Sequence, residues 1–143
     1  MLDVANDLLA ALLGAIPDAE ASVKRSLNGW SAKEIIGHLI DSACNNQQKF
    51  VRAMAGSGSD FPRYEQEHWV DSQRYNEEGW HDLIALWRAY NIHLAHVIGN
   101  VESRLLSNSI DIPGLGPQTL EFLMRDYVVH LKHHLRQILP DLS

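Results

Sequence analysis

The sequence predicts an all-α fold, a four-helix bundle, and three observations lead there. Apolar residues recur at the 3.6-residue period of an α-helix in four separate stretches. The intervals between those stretches hold the Pro, Gly and Asn residues that interrupt helices. Nowhere does the chain sustain the apolar/polar alternation of a strand, and it has no internal repeat or low-complexity run. With 143 residues it is long enough to bury a core without disulfide or metal staples, so one domain over residues 1–143 is expected.

The first helix is expected from Leu2 to Ile16, where Val4, Ala5, Leu8, Leu9, Leu12, Leu13 and Ile16 form one stripe, and Pro17-Asp18 ends it. Ala19 to Leu27 fits either a short helix or a loop, and Asn28-Gly29 is a turn signal. Ser31-Ala32-Lys33-Glu34 reads as a capping box, in which the serine hydroxyl and the glutamate carboxylate satisfy free backbone N–H groups; the second helix should run from Ser31 to about Ala55. From Gly56 to about Tyr75 no helical period holds, which makes this the longest connection. Asn76 is the expected N-cap of a third helix whose stripe takes in Trp80, Leu83, Ile84, Trp87, Tyr90, Leu94, Val97, Ile98, Val101 and Leu105, stopping near Asn108. The breakers in Ile112-Pro113-Gly114-Leu115-Gly116-Pro117 make a tight connector, with Pro117 in the first turn of a fourth helix that runs to Leu139 and is halted by Pro140.

Connection lengths limit the topology. The short link before the fourth helix favours antiparallel neighbours. The link between the second and third helices, roughly 20 residues at about 3.3 Å each when extended, outreaches a 25-residue helix of roughly 37 Å. It can return along the bundle and leave those two helices parallel, and a loop of that length suggests a functional cover, a roof from Phe61 to Trp69.

Composition narrows the partners. A formal net charge of -6, without a cluster of basic residues, argues against nucleic acid. No apolar run approaches the roughly 18 residues of a membrane span, and the first residues lack the basic start of a signal peptide. A single cysteine, Cys44, rules out an intramolecular disulfide and fits a reducing compartment. A cytoplasmic protein acting on a small molecule is the expectation.

The chemistry concentrates in the fourth helix, where His130, His133 and His134 fall within five positions. His130 and His134, four apart, lie one turn above each other and can point at a common atom. Leu120, Met124, Tyr127, Leu131, His134 and Ile138 follow the alternating four-three spacing of a packing seam, which puts His134 in a core position. His38 borders an apolar stripe of the second helix and could reach across to the pair. Taken singly, His134 reads as a satisfied core histidine. His133 projects to one side, and His68, His81, His93 and His96 have no matching partners and are expected at the surface. Trp80, Trp87 and Tyr90 read as core, and Cys44 as a buried small side chain.

Trp30-Ser31, Glu34 and His38-Leu39-Ile40-Asp41, together with His130, His133-His134 and Gln137-Ile138, resemble the DinB/YfiT-like family over nearly the whole chain. The family name has no connection with the similarly named translesion polymerase. The resemblance implies a four-helix bundle of up-down-down-up topology, in agreement with the long second connection. It also implies a metal site built from one histidine of the second helix and an H-x-x-x-H pair of the fourth, which here are His38, His130 and His134. Family members include bacillithiol S-transferases and the N-terminal domain of mycothiol-dependent maleylpyruvate isomerases, whose appended C-terminal domain this chain is expected to lack. Homodimerisation through a helix face is a further implication that the sequence itself does not fix.

Three neutral imidazoles would hold a divalent ion, zinc or nickel, and leave a coordination position open, which is the arrangement of a catalytic site. A bound water or low-molecular-weight thiol would lose its proton near neutral pH and attack a small electrophile, as in a thiol transferase or a hydrolase. Asp41 and Asp126, each one turn from a histidine, could orient imidazoles; their plainer reading is as solvent-facing or helix-capping charges. Gln137 could bond a bound water or substrate. The alternative function is a non-catalytic stress-response bundle that binds a metal or a small ligand.

Overall fold

The computed structural model describes residues 2–26 and 29–142, with Leu2, Asp3 and Val4 described by backbone alone. Leu27, Asn28 of the expected turn and the side chain of Val4 therefore lie outside the described residues. Four long helices form the bundle: α1 (Leu2–Gly14), α3 (Ala32–Ala55), α5 (Trp80–Gly99) and α6 (Leu120–Ile138). The short helices α2 (Asp18–Ala21) and α4 (Gln66–Gln73) sit in the connections, with single 3-10 turns at Tyr75–Glu77 and Ser103–Leu105.

Helix α3 is the central one. It packs against both α5 and α6, so every residue from Ala32 to Ala43 is buried, including Lys33, Glu34, His38, Asp41 and Ser42. Its start is the capping box that the sequence indicates: the Glu34 backbone N–H donates to the Ser31 hydroxyl at 3.2 Å, and the Ser31 backbone N–H donates to the Glu34 carboxylate at 3.0 Å. The Ser31 hydroxyl donates onward to Asn76 Oδ1 at 2.6 Å, which ties the cap to the approach to α5.

Polar anchors set the helix directions. The Asp18 carboxylate accepts from Lys33 Nζ at 3.0 Å and from the Trp80 backbone N–H at 2.9 Å, and the Trp80 indole donates to the Leu13 carbonyl at 2.9 Å. The end of α1 and the starts of α3 and α5 are thereby held together. At the opposite end β1 (Ser59–Asp60), which follows α3, pairs in parallel with β2 (Ser109–Ile112), which follows α5. Strand β2 pairs antiparallel with β3 (Gly116–Thr119), which leads into α6. Helices α3 and α5 therefore run the same way, with α1 and α6 opposed to them, and the long connection returns along the bundle as its length allows.

The three-stranded sheet departs from the expectation of helices alone. Ile110 and Ile112 are buried while Ser109 and Asp111 are half-buried, an alternation of only four residues. Gly114 and Gly116, at φ of 82° and 74°, take the left-handed backbone of the turn region. Pro117 lies in β3 rather than in a helical first turn, and Thr119 caps α6 instead, its hydroxyl accepting from the Phe122 N–H at 3.2 Å. Helix α5 starts behind Gly79, not at Asn76, because Asn76 belongs to the 3-10 turn and its side chain is taken by Ser31. It ends at Gly99, well before Asn108; Val101, in irregular chain, and Leu105, in the 3-10 turn, keep the apolar spacing by packing on the core from outside the helix. Helix α1 likewise stops at Gly14, short of Ile16, and α6 stops at Ile138 with Leu139 as its cap.

The apolar core falls into two clusters. One, around Leu13, Ile36, Leu39, Trp80, Trp87 and Leu135, fills the end where α3 and α5 begin. The other, around Phe50, Leu94, Ile110, Leu120 and Tyr127, fills the sheet end. Along α3 the polar residues His38, Asp41, Ser42 and Asn45 lie buried between them, and this interruption places the site.

Ser31→Ala removes both the cap and the bond to Asn76, and is expected to lower unfolding stability by about 1–2 kcal/mol. A fall in the urea midpoint at constant m-value measures it, and an unchanged midpoint contradicts the capping account.

Candidate metal centre

His38 projects from α3 toward α6 and is fully buried, at 0% exposure. His130 and His134, one turn apart on α6, face it and are half-buried. The ring centroids lie 5.0 Å (His38–His130), 4.7 Å (His38–His134) and 4.5 Å (His130–His134) apart, with interplanar angles of 69°, 74° and 72°. His38 Nε2 and His130 Nε2 are 3.1 Å apart, and one ring nitrogen from each histidine lies within 4.8 Å of the others. Among the described residues no other group of three or more His, Cys, Asp or Glu side chains is gathered in this way.

The outer nitrogens indicate how the rings are oriented. His134 Nδ1 lies 2.9 Å from Gln137 Oε1, an atom that only accepts, so Nδ1 carries the proton and Nε2 keeps its lone pair. His130 Nδ1 is 3.5 Å from the Ser42 hydroxyl. His38 Nδ1 has no partner among the described residues, and neither has Asp41 Oδ2 one turn along α3; both atoms are buried. The other oxygen of Asp41 accepts from the Tyr75 hydroxyl at 2.6 Å and from Gln73 Nε2 at 2.8 Å. Trp30 lies against the His38 ring, centroids 4.8 Å apart.

The environment keeps these rings uncharged. Burial pushes His38 down to about 3, and His134 and His130 add to the shift. Burial lowers His130 to about 4, with His134 acting in the same sense and Asp126 against it. His134 is also lowered, again by burial first. Neutral imidazole is the ligand form. A tetrahedral ion with bonds of about 2.0–2.1 Å sets its donor atoms about 3.3 Å apart, close to the 3.1 Å between the two Nε2 atoms. Three neutral nitrogen donors from two facing helices therefore fit a divalent ion of borderline softness.

Two cavities reach the cluster. One, of about 870 Å³, is bounded by Ser42 and Lys49 of α3, by residues 63–68 of the long connection, and by Asp126 and His130 of α6. The other, of about 370 Å³, is bounded by Trp30, His134 and Gln137. Gln66 and Glu67, in the first turn of α4, line both. The stretch expected to roof a pocket thus does line one, through Arg63 to His68.

The remaining expected residues divide. Asp41 is buried rather than solvent-facing, and its hydrogen bonds go to Tyr75 and Gln73, not to a histidine. Asp126 is exposed in the wall of the larger cavity and acts on His130 through charge, without a hydrogen bond to it among the described residues. Gln137 bonds the His134 ring itself. His133 is exposed, as are His68, His81, His93 and His96, although His68 also lines the larger cavity. Trp80 and Trp87 are fully buried, while Tyr90 and Cys44 are half-buried. Sequence reasoning missed Ser42, Gln73 and Tyr75, whereas Glu67 falls within the expected roof. Only Ser42, four residues after His38 and so on the same helix face, carried a signal.

The sequence profile of the DinB superfamily matches residues 1–138. No curated protein matches the sequence. Among solved structures, YfiT from Bacillus subtilis, described as a probable metal-dependent hydrolase with an unusual four-helix bundle topology, has a TM-score of 0.86 at 18% identity, over 97% of this chain and 80% of its own. A mycothiol-dependent maleylpyruvate isomerase gives 0.73 at 13% identity over 92% of this chain, which spans 55% of that enzyme. A DinB-like protein of Bacillus subtilis gives 0.56 at 16% identity, over 93% of this chain and 85% of its own. Identities this low carry the fold and nothing finer, but a profile matched almost end to end carries the family: the chain belongs to the DinB superfamily.

Proposed function

We propose that this protein is a metal-dependent enzyme in which His38, His130 and His134 hold one divalent ion, zinc or nickel, beside a cavity that admits a small electrophile. The observation that carries the reading is the convergence of three neutral ring nitrogens to within 4.8 Å of one another, from two helices, with His130 in the wall of the 870 Å³ cavity and His134 in the wall of the smaller one. Held by these three residues, a divalent ion would supply the Lewis acidity that lowers the pKa of a water or thiol and polarises an electrophile. Gln137 fixes the tautomer of His134, so that its Nε2 faces inward. Trp30 shields the His38 ring from water. The half-buried Lys49, whose pKa burial lowers, and Asp126 stand in the cavity wall, where they can contact a substrate. Water and thiol are the two candidate nucleophiles, and the solved neighbours described as a metal-dependent hydrolase and as a mycothiol-dependent isomerase support one each. A homodimer remains a proposal from the family resemblance.

Purified protein is expected to carry about one divalent ion per chain, and His38→Ala, His130→Ala and His134→Ala each to lose it, with at least about a tenfold fall in affinity. Elemental analysis reads this out, and metal undiminished in all three variants overturns the proposal. Turnover of a chromogenic aryl halide with a panel of low-molecular-weight thiols, or of an aryl ester with water, is expected to vanish on chelation and return on adding zinc or nickel. Turnover that survives chelation contradicts metal dependence.

The metal-free protein has its own pH signature. In the unfolded chain these histidines titrate near about 6.5, whereas in the fold His38 and His130 lie at about 3 and about 4. The unfolded state therefore takes up protons first, and stability should fall as pH drops from about 6.5 toward 4, with no contribution from these groups above about 7. Urea midpoints of chelated protein across that range test the sign. A smaller slope is expected in His38→Phe, and an identical slope contradicts the assignment.

A further inference from the structure

Asp41 is 2% exposed, yet none of the ion pairs among the described residues includes it, and Lys33, the buried cation on the same helix, is committed to Asp18. A carboxylate buried without a countercharge is costly: burial pushes the Asp41 pKa up, and the ionised form calls for a cation from outside the chain. Its surroundings hold it rather than neutralise it. The Tyr75 hydroxyl and the Gln73 amide both donate to Oδ1, which leaves Oδ2 buried and unpartnered. The Tyr75 ring lies so close on α3 that a Cβ at Gly37 would sit 2.1 Å from Tyr75 Cδ2, so glycine at that position is what lets the hydroxyl reach Asp41.

One turn before Asp41, His38 Nδ1 is also buried and unpartnered. Ligation through Nε2, the atom that faces His130, leaves Nδ1 as a donor in need of an acceptor. The third orphan, Trp87 Nε1, is itself a donor and cannot serve His38. We infer that Asp41 is the positioning carboxylate of the metal centre: the two buried orphans, one turn apart on α3, are not hydrogen-bonded to each other here, and ligation of His38 through Nε2 would turn its Nδ1–H to Asp41 Oδ2, whose charge would offset that of the ion while Tyr75 and Gln73 hold Oδ1 in place. The inference rests on the proposed metal site and has a consequence for the long connection between α3 and α5. Residues Gln73 and Tyr75 belong to the same connection that lines the larger cavity, so the carboxylate that orients a ligand also ties the cavity wall to α3.

Asp41→Asn is the informative change. It keeps an acceptor for Tyr75 and Gln73 and replaces Oδ2 with an amide donor that opposes the His38 donor. With zinc competed against a chromophoric chelator, affinity in this variant is expected to fall about 10- to 100-fold, while the melting temperature of the chelated protein holds or rises because an unpaired buried charge has gone. Tyr75→Phe should weaken zinc binding in the same sense by a smaller factor. A purely structural Asp41 would instead lower the chelated and the zinc-loaded melting temperatures together. That result, or zinc affinity within about twofold of wild type, overturns the inference. His134→Ala serves as the internal standard. Metal lost there but kept in Asp41→Asn sinks the role of Asp41 alone, and metal kept in both sinks the metal site with it.

Discussion

Three imidazole rings held between α3 and α6 with centroids within 5.0 Å of one another impose the constraint from which the site follows. Protonating more than one of them would set like charges side by side where water is largely excluded, a penalty that grows as the local dielectric falls. The rings therefore stay neutral, and neutral rings this close must either share their few protons or turn lone pairs toward a common point. The facing Nε2 atoms of His38 and His130 stand at hydrogen-bond distance and can share one proton, and the same spacing would serve the second arrangement around an ion, for which the outward-facing Nδ1 of His134 is already set. An interior that excludes protons in this way is prepared for a different cation.

Bundle architecture supplies what the rings need. Because α3 and α5 run in parallel, the chain must travel the length of the bundle between them, and the segment that does so carries Arg63 to His68 past the cluster. The same topology puts α3 in the centre, buried on all sides over Ala32 to Ala43. A helix in that position can present polar residues only into polar company. His38, Asp41, Ser42 and Asn45 find it between the two apolar clusters, whereas solvent would compete for the same groups on an outer helix.

The sequence made much of this legible, and what it hid has physical causes. The capping box at Ser31 and the fourth-helix seam depend on neighbours within one or two turns, so they could be read directly. His38 was harder: on α3 the polar residues Lys33, Glu34, His38 and Asp41 are all buried, which blurs the stripe that helical periodicity relies on. The resemblance to the DinB family tied that histidine to its partners on α6. Strands β1 to β3 escaped because two- and four-residue segments owe their pairing to the ends of α3 and α5 being brought together. The short α4 lacks enough turns for a period to show. The sequence leaves Asp41 between an imidazole-orienting group and a solvent-facing or helix-capping charge because its partners Gln73 and Tyr75 lie 32 and 34 residues away, beyond any local pattern.

The proposed chemistry depends on His38, His130 and His134 sharing one metal ion. The X-ray absorption spectrum of zinc-loaded protein addresses it without reference to substrate or activity. The expected spectrum has three imidazole nitrogens at about 2.0–2.1 Å, with the outer-shell scattering of intact rings and the remaining coordination filled by a light atom. A sulfur shell at about 2.3 Å, which would implicate Cys44, or a coordination sphere without imidazole scattering, contradicts it.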